Sequence, residues 1–453
     1  MKLDVQVSGK TTAQLYRERD EYVLKYFPDT NPADFVSLTM PVREEPWRWP
    51  RDLHPFFRQN LPEGYLLNII REKFGALLDG TDLSLLAVVG GMGIGRVTVT
   101  PEGGKPGAAL EPLQVEHLLK ADNTSEHFAA LVRRYARASI SGMVPKFIAP
   151  PDTSLIPADA SAPLSKPTLR TSRYIIKGSD DNTPYLGFNE FYTMRVLELL
   201  NVVPVAKTHM SDDGRVLVVE RFDVDERGIP THGLEDACAL LGLPPHEKYA
   251  TTTEKALNAT RAYLPAAQLR AQLEQFGWHL LTNYVVRNAD CHTKNIALYY
   301  TALADVRYTP VYDIVTTQAY PRYANSPPSL SIDGRQTWAA GKTLERFFNA
   351  RLGITPRRYA EMVERLCESA VTVGAEVIEA AKNEPRWRSV ARQMVHAWNE
   401  GMSSLRDPKR AAKFRGLDAA IAAAGFSGPE PAEPSRVTIG RSELLPVPRR
   451  KRK

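Results

Sequence analysis

The feature that most constrains this chain is a run of eight polar or small residues, Asn288-Ala289-Asp290-Cys291-His292-Thr293-Lys294-Asn295, wedged between two apolar segments. Upstream, residues 271–286 (AQLEQFGWHLLTNYVV) repeat apolar side chains at helical spacing; downstream, residues 296–300 (IALYY) form a β-branched and aromatic run that predicts a strand. The octet therefore belongs on a turn, and so polar a turn between two buried segments calls for a chemical reason. Asp290 and Asn295 supply one. D-x-x-x-x-N is the spacing with which a kinase catalytic loop offers a carboxylate to the acceptor hydroxyl's proton and an amide to magnesium. A second strand then returns the chain to Tyr312-Asp313, where another carboxylate reaches the same cation. The plain alternative for the octet alone is a polar turn capped by Asx hydrogen bonds; Asp313 after the hairpin weighs against it.

Phosphoryl transfer suits these residue types. Magnesium is hard, keeps most of its water, and usually takes one or two protein carboxylates, a need that Asp313 and Asn295 meet. Asp290 has to stay off the metal and face the incoming hydroxyl. Lys294 can place positive charge on the transferring phosphate, and His292 can orient Asp290 or touch phosphate.

Composition excludes other classes. The 453 residues are 43% hydrophobic and 24% charged, as in an ordinary globular protein. No apolar run approaches the roughly 20 residues of a spanning helix, and the start MKLDVQVSGK has no signal-peptide core, so a cytoplasmic location is expected. Three distant cysteines, Cys238, Cys291 and Cys367, build neither a disulfide framework nor a zinc ribbon. The net charge of +6 is uneven: residues 428–453 hold seven basic residues against three acidic ones and end in Arg449, Arg450, Lys451, Arg452 and Lys453. This Pro-rich tail reads as a solvated disordered terminus, with nonspecific phosphate binding as the alternative.

Along the chain, short strands are expected at residues 4–9, 22–27 and 36–40, followed by a helix over 61–75. A Gly/Pro-rich connection spans 103–112, a helix 125–138, a loop 139–146, and a Pro/Ser/Ala-rich gap 150–167. Then come the strand SRYIIK, the helix NEFYTMRVLELLN and the buried strand RVLVVERFD; from about Leu234 the pattern is mainly helical apart from the hairpin that leads to Asp313. The expected fold is α+β and two-lobed, like a protein kinase: an N-terminal α+β subdomain (1–110), an ATP-binding region (111–223), a helical catalytic lobe (224–427) and the tail (428–453). The glycine run Gly90–Gly95 lacks a following helix start and reads as a tight hairpin rather than a nucleotide fingerprint. Trp47 and Trp49, flanked by prolines, read as packing onto an adjacent domain.

These motifs together resemble the HipA-like kinase toxins. That family carries N-x-D-x-H-x-K-N followed by Tyr-Asp, as NADCHTKN and PVYDIVTT do here. Ser139-Ile140-Ser141-Gly142-Met143-Val144-Pro145-Lys146 resembles the family's S-x-x-G-x-Q-x-K loop, with Val144 in place of the Gln, which removes a side-chain amide. The resemblance implies that Ser141, Gly142, Met143, Val144, Pro145 and Lys146 cover the ATP phosphates and that Ser139 is autophosphorylated. It further implies that Lys177 in YIIK binds ATP, that Glu220, Arg221 and Phe222 form a hinge whose backbone holds adenine, and that His292, Thr293, Lys294 and Tyr312 line the same site. LHPFFRQNLPEG and LSIDG are further family-like stretches, so the similarity runs from about Leu53 to Gly353.

What the resemblance implies is a serine/threonine protein kinase using ATP and Mg2+, the toxin of a toxin–antitoxin pair. Its partners would be a helix-turn-helix antitoxin of the HipB type, DNA indirectly through that complex, and a protein substrate such as an aminoacyl-tRNA synthetase. Two other functions fit parts of the sequence: a small-molecule phosphotransferase of the aminoglycoside or choline kinase type, and a non-catalytic DNA-associated regulator working through the basic tail.

Overall fold

Alternation decides the first sheet. Leu3, Val5 and Val7 are buried on one strand, Ala13 and Leu15 on the next, while Asp4 and Gln14 between them are less covered. The computed structural model describes residues 1–62, 67, 70, 71, 75, 78–104, 115–131, 168–338, 342–406, 416–426 and 428. Within them β1 (Lys2–Val7), β2 (Lys10–Glu18), β3 (Glu21–Tyr26), β4 (Trp47–Pro50) and β5 (Val97–Pro101) form an antiparallel sheet in the order β4-β3-β2-β1-β5. Ser8 and Gly9 both have positive φ (49° and 79°), the two-residue turn whose twist matches a hairpin. Helices α1 (Pro55–Arg58) and α2 (Asp82–Val89) cover the buried face with Phe56, Phe57, Leu83 and Leu86.

Several expectations change here. Residues 36–40 are not a strand: Ser37 and Met40 close a turn, and Ser37 Oγ and Leu38 N donate to buried Glu235 (2.9 and 2.6 Å). The glycine run is not a hairpin. It continues α2 as a 3-10 turn, Gly90–Met92, because Gly90 lies so close to Val99 that a Cβ would stand 2.7 Å from its carbonyl oxygen. Trp47 and Trp49 stay within the first sheet's own surroundings, Trp47 donating Nε1–H to Pro41 O at 3.0 Å and Trp49 meeting the His54 ring at 4.4 Å.

A second antiparallel sheet, ordered β6-β7-β9-β8, comprises β6 (Thr168–Arg170), β7 (Tyr174–Gly178), β8 (Thr208–Met210) and β9 (Val216–Glu220). Helix α3 (Leu186–Leu200) packs on β9 through Gly187, where a Cβ would meet the Val216 backbone at 2.7 Å. The expected hairpin exists as β11 (Ala297–Tyr300) and β12 (Val306–Tyr308), but β10 (Gly233–Asp236) joins it as a third strand inside the stretch expected to be helical. Beneath them lie α4 (Leu269–Val285), α5 (Pro356–Asn383) and α6 (Arg388–Leu405), their apolar faces sharing one core built around Trp278, Leu366, Val373, Met394 and Trp398. The architecture is mixed α+β. Among the described residues no helix is long and apolar enough to cross a membrane, and the three cysteines are free thiols.

Candidate functional site

The octet is held by its own polar groups. After α4 the chain turns at Arg287 (φ 55°), and Asn288 bonds back to Asn283 through its backbone (2.9 Å) and side chain (2.7 Å). Ala289 N donates to Thr317 Oγ1 (2.7 Å), Asp290 N to Asn288 Oδ1 (3.0 Å), and His292 N to Asn295 Oδ1 (2.9 Å). A single 3-10 turn, Thr293–Asn295, then delivers the chain to β11. Buried backbone donors are thus satisfied partly within the loop and partly by α4 and Thr317. Asp290 is only 6% exposed, and Tyr249 donates its hydroxyl to Asp290 Oδ1 at 2.7 Å.

Asp313 follows β12 in a left-handed conformation (φ 60°), which aspartate adopts more readily than most residues. Its carboxylate is the hub. Oδ1 accepts from Lys177 Nζ at 2.7 Å and Oδ2 from Asn295 Nδ2 at 2.6 Å. Lys177, on β7, also donates to Glu190 Oε1 on α3 at 2.5 Å, and Glu190 is buried with its Oε2 unpartnered. Lys177, Asn295 and Asp313, far apart in sequence, therefore converge on one spot. Lys294 Nζ lies 3.4 Å from Gln59 O, its carbonyl accepts from Tyr312 Oη (2.6 Å), and Thr293 bonds to Lys248 O.

The hinge side chains are engaged elsewhere. Glu220 pairs with His209 Nε2 at 2.8 Å, and Arg221 grips Asp223 with Nε (3.0 Å) and Nη2 (2.6 Å). Their backbone N–H groups go to Lys207 O and Arg173 O, both at 2.9 Å, while the Phe222 ring stands 5.8 Å from that of Tyr312. Ser139, Ser141, Gly142, Met143, Val144, Pro145 and Lys146 lie outside the described residues.

Two site residues escaped the sequence reading. Glu190 had a signal: it shares a helical face with Met194 and Leu197, so a carboxylate sat on an apolar stripe. Tyr249 had none, in a loop of the form PPHEKYATTT.

Burial dominates the electrostatics of the groups beside the octet. Burial, and then the Asp290 and Asp313 charges, push the Cys291 thiol far above its usual value, so it stays protonated; burial also lowers His279 to about 4, keeping it neutral beside Cys291. A carboxylate and an amide are donor types that magnesium takes, and here they lie side by side: Asn295 turns its Nδ2 to Asp313 Oδ2 and its Oδ1 to His292 N, that oxygen keeping a second lone pair. Among the described residues there is no group of three or more His, Cys, Asp or Glu that could hold a metal ion.

Known proteins resemble this chain in sequence and in fold. The family model described as HipA-like C-terminal domain matches residues 138–373, and that described as HipA N-terminal domain matches residues 3–100. A Sinorhizobium fredii protein named "Putative kinase Y4mE" is 27% identical over 404 residues, 82% of this chain and 91% of its own length. A Haemophilus influenzae protein named "Putative kinase" is 27% identical over 198 residues, 40% of this chain and 55% of its own length. A chain from the solved complex of the Shewanella oneidensis MR-1 toxin–antitoxin system, HipA, HipB and its operator DNA, has the same fold: TM-score 0.61, 20% identity, 89% of this chain and 97% of that one.

Proposed function

Because this chain belongs to the HipA-like family, whose C-terminal domain model alone matches residues 138–373, we propose that it is an ATP- and magnesium-dependent serine/threonine protein kinase, the toxin of a toxin–antitoxin pair. The observation that carries this reading is the convergence of Lys177, Asn295 and Asp313, with Lys177 braced by Glu190. A lysine on a strand, fixed between two carboxylates, is a rigid point charge for nucleotide phosphates. Asp313 and Asn295 would hold the metal ion, which when bound neutralises charge on the phosphates.

Asp290 accepts the proton of the incoming hydroxyl as that oxygen bonds to the γ-phosphorus and the bridging oxygen leaves with ADP. On this reading residues 111–223 and 224–427 are the two lobes around the nucleotide, 1–110 is a separate subdomain and 428–453 a basic tail. The loop of Ser141 to Lys146 would close over the phosphates and Ser139 would take an autophosphate. A HipB-type helix-turn-helix antitoxin is the proposed partner, supported by the assembly of the structural relative, with DNA bound through it. An aminoacyl-tRNA synthetase is the proposed class of protein substrate, and the cytoplasm the place of action, where free thiols persist.

Incubation of the purified chain with Mg2+ and γ-labelled ATP tests this. The wild type is expected to label itself at or near Ser139 and Asp290→Ala to carry no label; equal labelling of the two proteins removes Asp290 from the chemistry.

A further inference from the structure

The carboxylate assigned as catalytic base already holds a hydroxyl group. Tyr249 Oη lies 2.7 Å from Asp290 Oδ1 and donates to it. An acceptor hydroxyl has to come within about 2.6–3.2 Å of the oxygen that deprotonates it, so the phenol oxygen stands where an acceptor oxygen must stand.

The backbone that carries Asp290 is held without this contact. The backbone on either side is pinned: Ala289 N to Thr317 Oγ1, Asp290 N to Asn288 Oδ1, and His292 N to Asp290 O at 2.9 Å. Tyr249 itself belongs to the connection between the helices Ala237–Leu240 and Thr253–Arg261, with exposed His246, Glu247 and Ala250 around it. That connection is anchored one residue earlier, where Lys248 O accepts from Thr293 N (3.2 Å) and Thr293 Oγ1 (2.9 Å). The Tyr249 ring meets His292 edge-on at 5.1 Å and is only partly buried. With the backbone tied and the ring partly open to solvent, clearing Asp290 calls for the side chain to turn rather than for the connection to move.

We infer that Tyr249 is a gate on the acceptor site: its hydroxyl imitates the incoming hydroxyl on Asp290, and an acceptor reaches the base only by turning the ring aside. The inference rests on the reading of Asp290 as catalytic base. A bound protein segment supplies contacts that displace the ring, whereas water supplies almost none. Tyr249 thus suppresses transfer to water and reserves the phosphoryl group for a docked chain.

The test compares the full-length wild type with Tyr249→Phe, which keeps the ring and removes the hydroxyl. Mg-ATP affinity is followed by calorimetry, and ATP hydrolysis is followed without any protein acceptor. Tyr249→Phe is expected to bind Mg-ATP as the wild type does and to hydrolyse it about tenfold faster, since a charge-assisted hydrogen bond no longer has to break first. Adding Asp290→Asn to Tyr249→Phe should abolish the gain. Normal binding with hydrolysis at or below the wild-type rate, or a gain that survives Asp290→Asn, overturns the gate while leaving the kinase reading intact. Failure of both proteins to bind Mg-ATP overturns the two together.

Discussion

Removing Glu190 should reveal how far Lys177 depends on it. Both side chains are nearly buried, and breaking a buried pair from one side leaves a charge without compensation. Glu190→Ala is expected to lose about 3 kcal/mol in urea denaturation, at the low end for such pairs because Asp313 still faces the lysine. Glu235 makes a separate pH-dependent prediction. Burial holds its carboxyl at about 7 against an ordinary 4.5, although Leu38 N, Tyr300 and Ser37 all donate to it. Between those values the folded chain keeps a proton that the unfolded chain has lost, so stability falls as pH rises across that window and levels off above it. Glu235→Gln should flatten that slope, worth roughly 3 kcal/mol at 1.36 kcal/mol per unit, in melts taken from pH 4.5 to 8. At this scale the meeting of Asn295 with Asp313 was legible because only a short hairpin separates them. Tyr249 was not, because its partner lies 41 residues away and nothing in its neighbourhood marks it.

The element scale shows why some segments were readable and others were not. Helix α4 and the β11–β12 hairpin stood out because the first is a long stretch rich in apolar residues and the second is rich in aromatic ones. Strand β2 was missed: KTTAQLYRE carries few apolar residues, and its place is set by pairing with β1 and β3 on both sides. Residues 36–40 failed in the opposite sense, since a strand-like composition was captured as a turn by the distant carboxylate of Glu235. Close packing of α3 on β9 can be tested at Gly187. Gly187→Ala places a methyl against the Val216 backbone and should lower stability by about 1–3 kcal/mol, seen as a lower denaturation midpoint at unchanged slope.

Across the whole molecule, the first sheet is locked to the rest through polar contacts that only the fold reveals. Arg96 donates to Thr301 O (2.9 Å) and Phe35 O (3.2 Å) and lies over the Phe35 ring; Gln59 bridges Leu234 O and Asp236 N; Gly95 N reaches Asp223. These contacts put the first sheet against β10, and Gln59 O within reach of Lys294 in the octet. Arg96→Ala strands buried carbonyls and should cost about 2 kcal/mol of stability in the same denaturation assay, without altering nucleotide affinity. The central claim, that Asp313 and Asn295 hold a magnesium nucleotide while Asp290 only takes a proton, is tested most directly by calorimetric titration with ATP, with and without Mg2+. The account predicts magnesium-dependent binding that Asp313→Ala abolishes and Asp290→Ala retains; undiminished binding by Asp313→Ala would contradict it.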